Sequence, residues 1–221
     1  MDFYHDFGVL GLSLPQKGGI YALNQRAKSP VIIGYLLYSL GKTLQNDTQA
    51  TVAELFCADA YYSFIAARFG AHRCDAFDNN RDNHLQEAYA IKSILADETV
   101  HIHQTDILEI EKSFHSSIVV NTGGLYHVEN PLEVLERSHA MASRYLIVQT
   151  VTSLACENIN YFETPAPGWQ HGCRFSHAWI ENEIRKRRYC IIDSERNILT
   201  GNARSEDRGS SYFLIDVTRS S

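Results

Sequence analysis

No two of the five cysteines, Cys57, Cys74, Cys156, Cys173 and Cys190, stand close together in the chain. That excludes a Cys-x-x-Cys metal site and gives no disulfide framework, so reduced thiols and a cytoplasmic location are expected. No stretch reaches the roughly 20 uncharged residues of a membrane span. The N-terminal MDFYHDFGVLGLSLPQ carries early acids and no long apolar core, so no secretory signal is read there. Positive charge is not in excess either: the net charge of −6 argues against a non-specific nucleic-acid surface, although a local basic patch would still allow RNA. The run Arg185-Lys186-Arg187-Arg188 is the one candidate patch, and it reads as a solvated helix C-terminus complementing the macrodipole. His101 and His103 alternate on a strand with no third ligand at suitable spacing, so no metal is expected.

The organising stretch is Thr51 to Asp78, TVAELFCADAYYSFIAARFGAHRCDAFD. An apolar run holding Glu54 reads as a buried parallel strand, Phe56 to Ala60 as a turn of mostly small residues, and Tyr61 to Phe69 as a helix ended by Gly70. Cys74 to Phe77 is a second strand closed by Asp78. A small-residue turn opening a helix lets backbone approach a ligand, and an acid ending the second strand can accept from a ribose diol. The Gly-x-Gly-x-x-Gly of dinucleotide folds is missing from the turn.

Residues 1–28 read as an irregular lead-in, and Ser29-Pro30 as the start of a helix with Ile33, Leu36, Leu37, Leu40 and Leu44 on one face. Further along, Arg81 to Ala96 is helical, Val100 to His103 a third strand followed by Asp106, and Ser117 to Asn121 a fourth strand. That strand runs into Thr122-Gly123-Gly124-Leu125-Tyr126-His127, at the position where an open α/β sheet places its ligands. Pro131 starts another helix and Arg144 to Thr150 is a fifth strand. Residues 155–176 are too broken for regular structure and read as a substrate lid, with Phe162, Trp169 and Phe175. A helix from His177 to Arg187 and strands Tyr189 to Asp193 and Ser211 to Val217 close the chain, bracketing a mobile polar loop, 202–209.

An acid, then spaced small residues, then a helix resembles the first motif of class I S-adenosylmethionine-dependent methyltransferases. Glu54 matches the acid, and Phe56, Ala58 and Ala60 stand at the three glycine places. The run Leu-Tyr-His with a nearby Asn-Pro-Leu is similar to the branch that includes the tRNA wobble-uridine carboxymethyltransferases and related small-molecule enzymes. The resemblance, over roughly residues 50–152, implies a Rossmann-like doubly wound α/β sheet of seven strands, mostly parallel with an antiparallel edge hairpin. One domain spanning 1–221 is expected: a cap and helix (1–45), a cofactor-binding core (50–152), a lid (153–176) and a C-terminal helix and hairpin (177–221).

The resemblance further implies S-adenosylmethionine as cofactor, with S-adenosylhomocysteine as product. Its contacts would come from Glu54, Cys57, Ala58, Asp59, Ala60, Tyr62, Asp78, Asn79, Asp106, Ile107, Asn121, Thr122 and Gly123. Asp78 would take the ribose and Asp106 the adenine amine, with a helix N-cap as the competing role for Asp106. Methyl transfer needs positioning and removal of an acceptor proton. For that work His127, Tyr126 and His171 are the expected catalytic residues, and His177 and Glu163 further candidate bases. The expected acceptor is a small molecule. The alternatives are a tRNA methyl- or carboxymethyltransferase and a non-catalytic partner protein on the same fold. The oligomeric state stays open, a homodimer included.

Overall fold

The computed structural model describes every residue except Thr48 and Ser221. Its strands are β1 (Thr51–Leu55), β2 (Arg73–Asp78), β3 (Val100–Gln104), β4 (Ser116–Thr122), β5 (Ala142–Thr152), β6 (Phe162–Glu163), β7 (Arg174–Phe175), β8 (Tyr189–Ile198) and β9 (Gly209–Ser220). The helices are α1 (Ile20–Leu44), α2 (Tyr61–Arg68), α3 (Leu85–Leu95), α4 (Pro131–Met141) and α5 (His177–Lys186).

Seven strands form one sheet in the order β3-β2-β1-β4-β5-β9-β8. The first five are parallel, and β9 joins β5 and β8 antiparallel. Strand order reverses between β1 and β4, and that switch opens a crevice at their carboxyl ends. Side chains alternate across the sheet. Val52, Val120, Ile147 and Tyr212 therefore pack with α1, α2 and α3, while Ala53, Val119, Val148 and Phe213 pack with α4 and α5.

Helix α1 begins at Ile20, ten residues before the expected start, and carries Pro30 in its interior. Proline there forfeits the bond to the carbonyl four residues earlier. Pro30 lies on the exposed face, where water can serve the freed carbonyl, and burial of Ile32, Tyr35, Leu36 and Leu40 holds the helix. Its inward face is thus turned by about one residue from the expected one: Ile32 and Tyr35 are buried, Ile33 and Leu37 only partly.

Helix α3 starts at Leu85 rather than Arg81, because Asn80 and Asn83 take left-handed φ values of 60° and 59° and break the first turn. The broken segment does hold a short hairpin, β6 with β7. Strand β8 runs five residues beyond its expected end; Ser194, Glu195 and Arg196 sit on an exposed edge where no apolar alternation marks a strand. Residues 202–209 include a 3-10 turn at Ser205–Asp207, tied down by Arg174 on Asp207 at 2.5 Å and by the Leu154 amide on the Ser205 carbonyl. Among the described residues no helix is long and apolar enough to cross a membrane.

Candidate functional site

Glu54 lies buried under the start of α2. Its carboxyl accepts from the Ser63 amide at 2.7 Å, the Ser63 hydroxyl at 2.6 Å and the Tyr62 amide at 3.4 Å. It thereby serves the orphan amides of a helix whose own N-cap position, Ala60, offers no side-chain acceptor. Burial raises the Glu54 pKa to about 8 against the opposing pull of the Ser63 and Tyr62 bonds.

The turn between Glu54 and α2 passes through three left-handed residues, none of them glycine: Phe56 (φ 57°), Ala58 (φ 48°) and Ala60 (φ 59°). Each costs about 1–2 kcal/mol relative to a right-handed residue. The Cys57 amide donates to the Phe77 carbonyl at 3.1 Å and the Ala58 amide to Asp78 Oδ2 at 3.1 Å, which lashes the turn to the end of β2. Burial pushes the Cys57 thiol well above its usual pKa, so it is an inert filler.

Asp78 accepts one further bond, from the Asn80 amide at 2.6 Å, and burial raises its pKa. One bond per oxygen leaves lone pairs for a ligand. Asn79 donates to Asp106 Oδ2 at 3.3 Å, so Asp78, Asn79 and Asp106 gather at the ends of β2 and β3. Asp106 also accepts from the Leu108 amide at 3.0 Å, the N-cap role, while Ile107 is buried in the core.

At the end of β4, Asn121 donates to Ser138 Oγ at 2.8 Å, and its Oδ1 is buried with no partner among the described residues. Thr122 is buried beside it. Gly123 turns left-handed (φ 74°), and nothing lies within 4 Å of the place a β-carbon would take. A ligand can approach that backbone closely.

Two expected contacts are turned elsewhere. The Asp59 carboxylate, wholly buried, accepts from the His5 amide at 2.7 Å and pairs with His5 Nδ1 at 2.6 Å, so it anchors the N-terminal segment. The Tyr62 hydroxyl lies 3.4 Å from Ser29 Oγ on α1. Sequence reasoning misses the His5 anchor because the partners are 54 residues apart.

Of the three residues expected to act on the acceptor, Tyr126 and His127 stand side by side, while the His171 side chain meets Trp169 and Arg81. Tyr126 and His127 lie in the 3-10 turn Leu125–His127, their rings 4.1 Å apart. The Tyr126 carbonyl accepts from the Cys173 amide at 3.1 Å and from Arg174 at 3.2 Å, seating the lid hairpin on this turn. Gly172 fits there only as glycine, since a β-carbon would lie 2.6 Å from that carbonyl. His171 Nε2 is then 3.1 Å from the Arg81 guanidinium.

The walls around His127 and the cations Arg174, Lys28 and Arg81 lower its pKa to about 4, with Asp82 opposing them. A neutral imidazole is the proton-accepting form. Burial likewise raises Tyr126, to about 12. Sequence reasoning misses Lys28 and Arg81 because it begins α1 after the first and places the second inside α3.

His177 is not in this group. It bonds Ser211 Oγ at 3.0 Å and lines a separate cavity of about 270 Å³ with Leu154, Arg196 and Ile198. Glu163 on β6 stands opposite Arg174 on β7 in the strand register, and its carboxylate accepts from Tyr161 at 3.2 Å. No group of three metal-ligating side chains is found among the described residues.

No protein-family model and no curated protein matches the sequence. Solved structures do match in fold. The S-adenosylmethionine-bound magnesium protoporphyrin IX methyltransferase ChlM of Synechocystis superposes with a TM-score of 0.64 at 14% identity, covering 92% of this chain and 86% of that one. The N-methyltransferase NodS of Bradyrhizobium japonicum gives 0.56 at 16% identity over 86% and 97%. The [4+2]-cyclase SpnF gives 0.61 at 12% identity over 82% and 79%. Together with the strand order and the antiparallel β9, these likenesses show that the chain has the Rossmann-like fold of the class I S-adenosylmethionine-dependent methyltransferases.

Proposed function

We propose that the chain binds S-adenosylmethionine across the carboxyl ends of β1, β2 and β4 and methylates a small-molecule acceptor. The observation that carries this reading is the turn after β1. Phe56, Ala58 and Ala60 hold the left-handed geometry that glycine adopts freely, at places where the sequence has none. Strain of this kind persists where the surrounding structure imposes it, and it clusters at ligand sites.

The residues present suit such a donor. Asp78 has lone pairs free for a ribose diol, Asn79 and Asp106 stand together beside it, and Gly123 leaves its backbone open at the end of β4. The bound donor would supply an electrophilic methyl: the acceptor's lone pair forms the new bond and the sulfur–carbon electrons return to sulfur.

What this chain adds is placement and proton removal. Neutral His127 takes the acceptor proton, and Tyr126 beside it is held as the undissociated phenol. The lid from Phe162 to Phe175 bounds the acceptor side and excludes water, with Gly172 and Cys173 packed on the Tyr126 carbonyl.

Calorimetric titration with S-adenosylmethionine and, separately, S-adenosylhomocysteine tests the reading. Micromolar binding of either is expected. A folded protein that binds neither at millimolar concentration sinks it, and leaves the non-catalytic alternative.

A further inference from the structure

The chain carries a net charge of −6, yet three cations, Lys28, Arg81 and Arg174, act together on His127. Their partners differ. Arg174 is buried and committed: it meets Asp207 at 2.5 Å and lies against the Tyr126 ring, 5.3 Å from its centroid. Arg81 has no ion pair among the described residues; its guanidinium lies 3.1 Å from His171 Nε2, which brings the loop after β2 to the lid. Lys28 has no ion pair among the described residues.

Lys28 does not stand on open surface. It is half-buried, and it lies on α1 beside Gln25 and Ser29, which are held by Asp6 and Tyr62. The tilt of α1 can be followed by register. Tyr38 packs on Tyr145, ring centroids 6.2 Å apart. From there α1 runs back toward its own start, where Asn197 on β8 donates to the Ala27 carbonyl at 2.7 Å. Four strand residues, about 13 Å, match about nine helical residues. Lys28 is therefore level with Gln149, which pairs with Thr122 at the carboxyl end of β4, the strand that leads into the His127 turn. Shelter from water lowers the Lys28 pKa to about 8. An ammonium in such a place without a counter-charge is stabilised by an incoming anion.

Of the acids that act on this group, Asp207 is paired with Arg174, Asp59 with His5, and Asp82 has no ion pair among the described residues. Asp82 acts on His127, Tyr126 and Tyr4, and it is exposed on the loop after β2. The rest of the wall is aromatic: Tyr4 packs on Tyr21 and His84 at 5.0 Å each, and Tyr126 on His127.

We propose that Lys28 and Arg81 are a carboxylate-binding pair and that the acceptor is an organic acid with a flat or apolar body, held by its carboxylate so that a second nucleophilic atom meets His127. The planar fork of Arg81 suits a carboxylate from the lid side and the Lys28 point charge from the α1 side. This rests on the donor-binding reading above. The same carboxylate chemistry is present in the methionine end of the donor, and the test separates the two sources.

Wild type, Lys28→Met and Arg81→Gln are titrated with S-adenosylhomocysteine, with methylthioadenosine, which lacks the amino-acid end, and, in the S-adenosylhomocysteine complex, with benzoate and butyrate against their neutral amides. The expected result is that the acids bind wild type better than the amides. Each variant should lose about tenfold or more in acid affinity while holding both nucleosides as wild type does. If Lys28→Met instead loses S-adenosylhomocysteine but keeps methylthioadenosine, the pair serves the donor and the acceptor assignment is overturned. Acids that bind no better than their amides, or variants that bind them unchanged, overturn it as well. Wild-type affinity for S-adenosylhomocysteine, read first, reports on the donor reading separately.

Discussion

A β-carbon on Gly124 would lie 1.8 Å from Cδ2 of Phe56. The ring that stands at the first glycine place of the β1 turn thus occupies the space beside the β4 loop, and each residue fixes the other. Gly124→Ala should destabilise the protein by about 1–3 kcal/mol through overpacking. Phe56→Gly in that background should recover part of the loss, because it removes both the clash and a left-handed non-glycine residue. Urea denaturation of the four members of the cycle measures the coupling, and additive losses would show that the two residues do not meet.

Ala58 is left-handed at φ 48° and only partly buried, so a glycine there gives up little packing. Ala58→Gly should raise stability by about 0.5–1 kcal/mol, the relief of the left-handed strain less the extra freedom of the unfolded chain. Ala58→Val should lower it. A destabilising Ala58→Gly would show that the turn relaxes to a right-handed conformation.

Asp78 holds the Ala58 and Asn80 amides and keeps lone pairs for a diol. Asp78→Ala should weaken donor binding by about 1–3 kcal/mol by calorimetry, through the unpaired ribose hydroxyls. Unchanged affinity in a folded variant would remove Asp78 from the donor site.

With its pKa lowered to about 4, His127 is neutral across the physiological range. Turnover should then show no acid limb near the ordinary histidine value of 6.5, and His127→Ala should lower it by on the order of 10²-fold. Lys28→Met removes one of the cations that act on His127, so it should move any acid limb upward. A wild-type limb near 6.5 that vanishes in His127→Ala would mean that neither burial nor the cations lower the imidazole pKa.

Glu54 has a folded-state pKa of about 8 against an unfolded value of 4.5. Between those values the unfolded chain has released a proton that the folded chain keeps, so stability falls as pH rises. The Glu54 contribution is full below about 4.5 and is lost as pH passes 8, at no more than about 1.4 kcal/mol per unit. Glu54→Gln should flatten the melting-temperature profile between about pH 5 and 8; parallel profiles would contradict a protonated Glu54.

Much of this protein can be read from its residues in order. An apolar run such as SIVVN, residues 117–121, needs no partner to be recognised as a buried strand, and Asp78 and Asp106 follow their strands directly. The acid of Glu54, the small-residue turn and the Gly-Leu-Tyr-His loop are local features, and their backbone chemistry is local too. The central strands can be picked out from such signals, because burial on both faces is written in their own composition; the parallel order and the antiparallel edge were what the methyltransferase resemblance implied.

The tertiary structure decided what depends on distant partners. It carried α1 through Pro30 because buried side chains on the same helix outweigh one lost backbone bond. It gave Asp59 to His5, 54 residues away, and Tyr62 to Ser29, although local reading assigns both to the cofactor. It also set Lys28, Arg81 and Arg174 around His127 from three separate elements. Sequence by itself determined the strands and the acids that end them, since those rest on neighbouring residues; the charge around the imidazole was decided only when the chain closed, because electrostatic interaction follows distance in space and not separation along the chain.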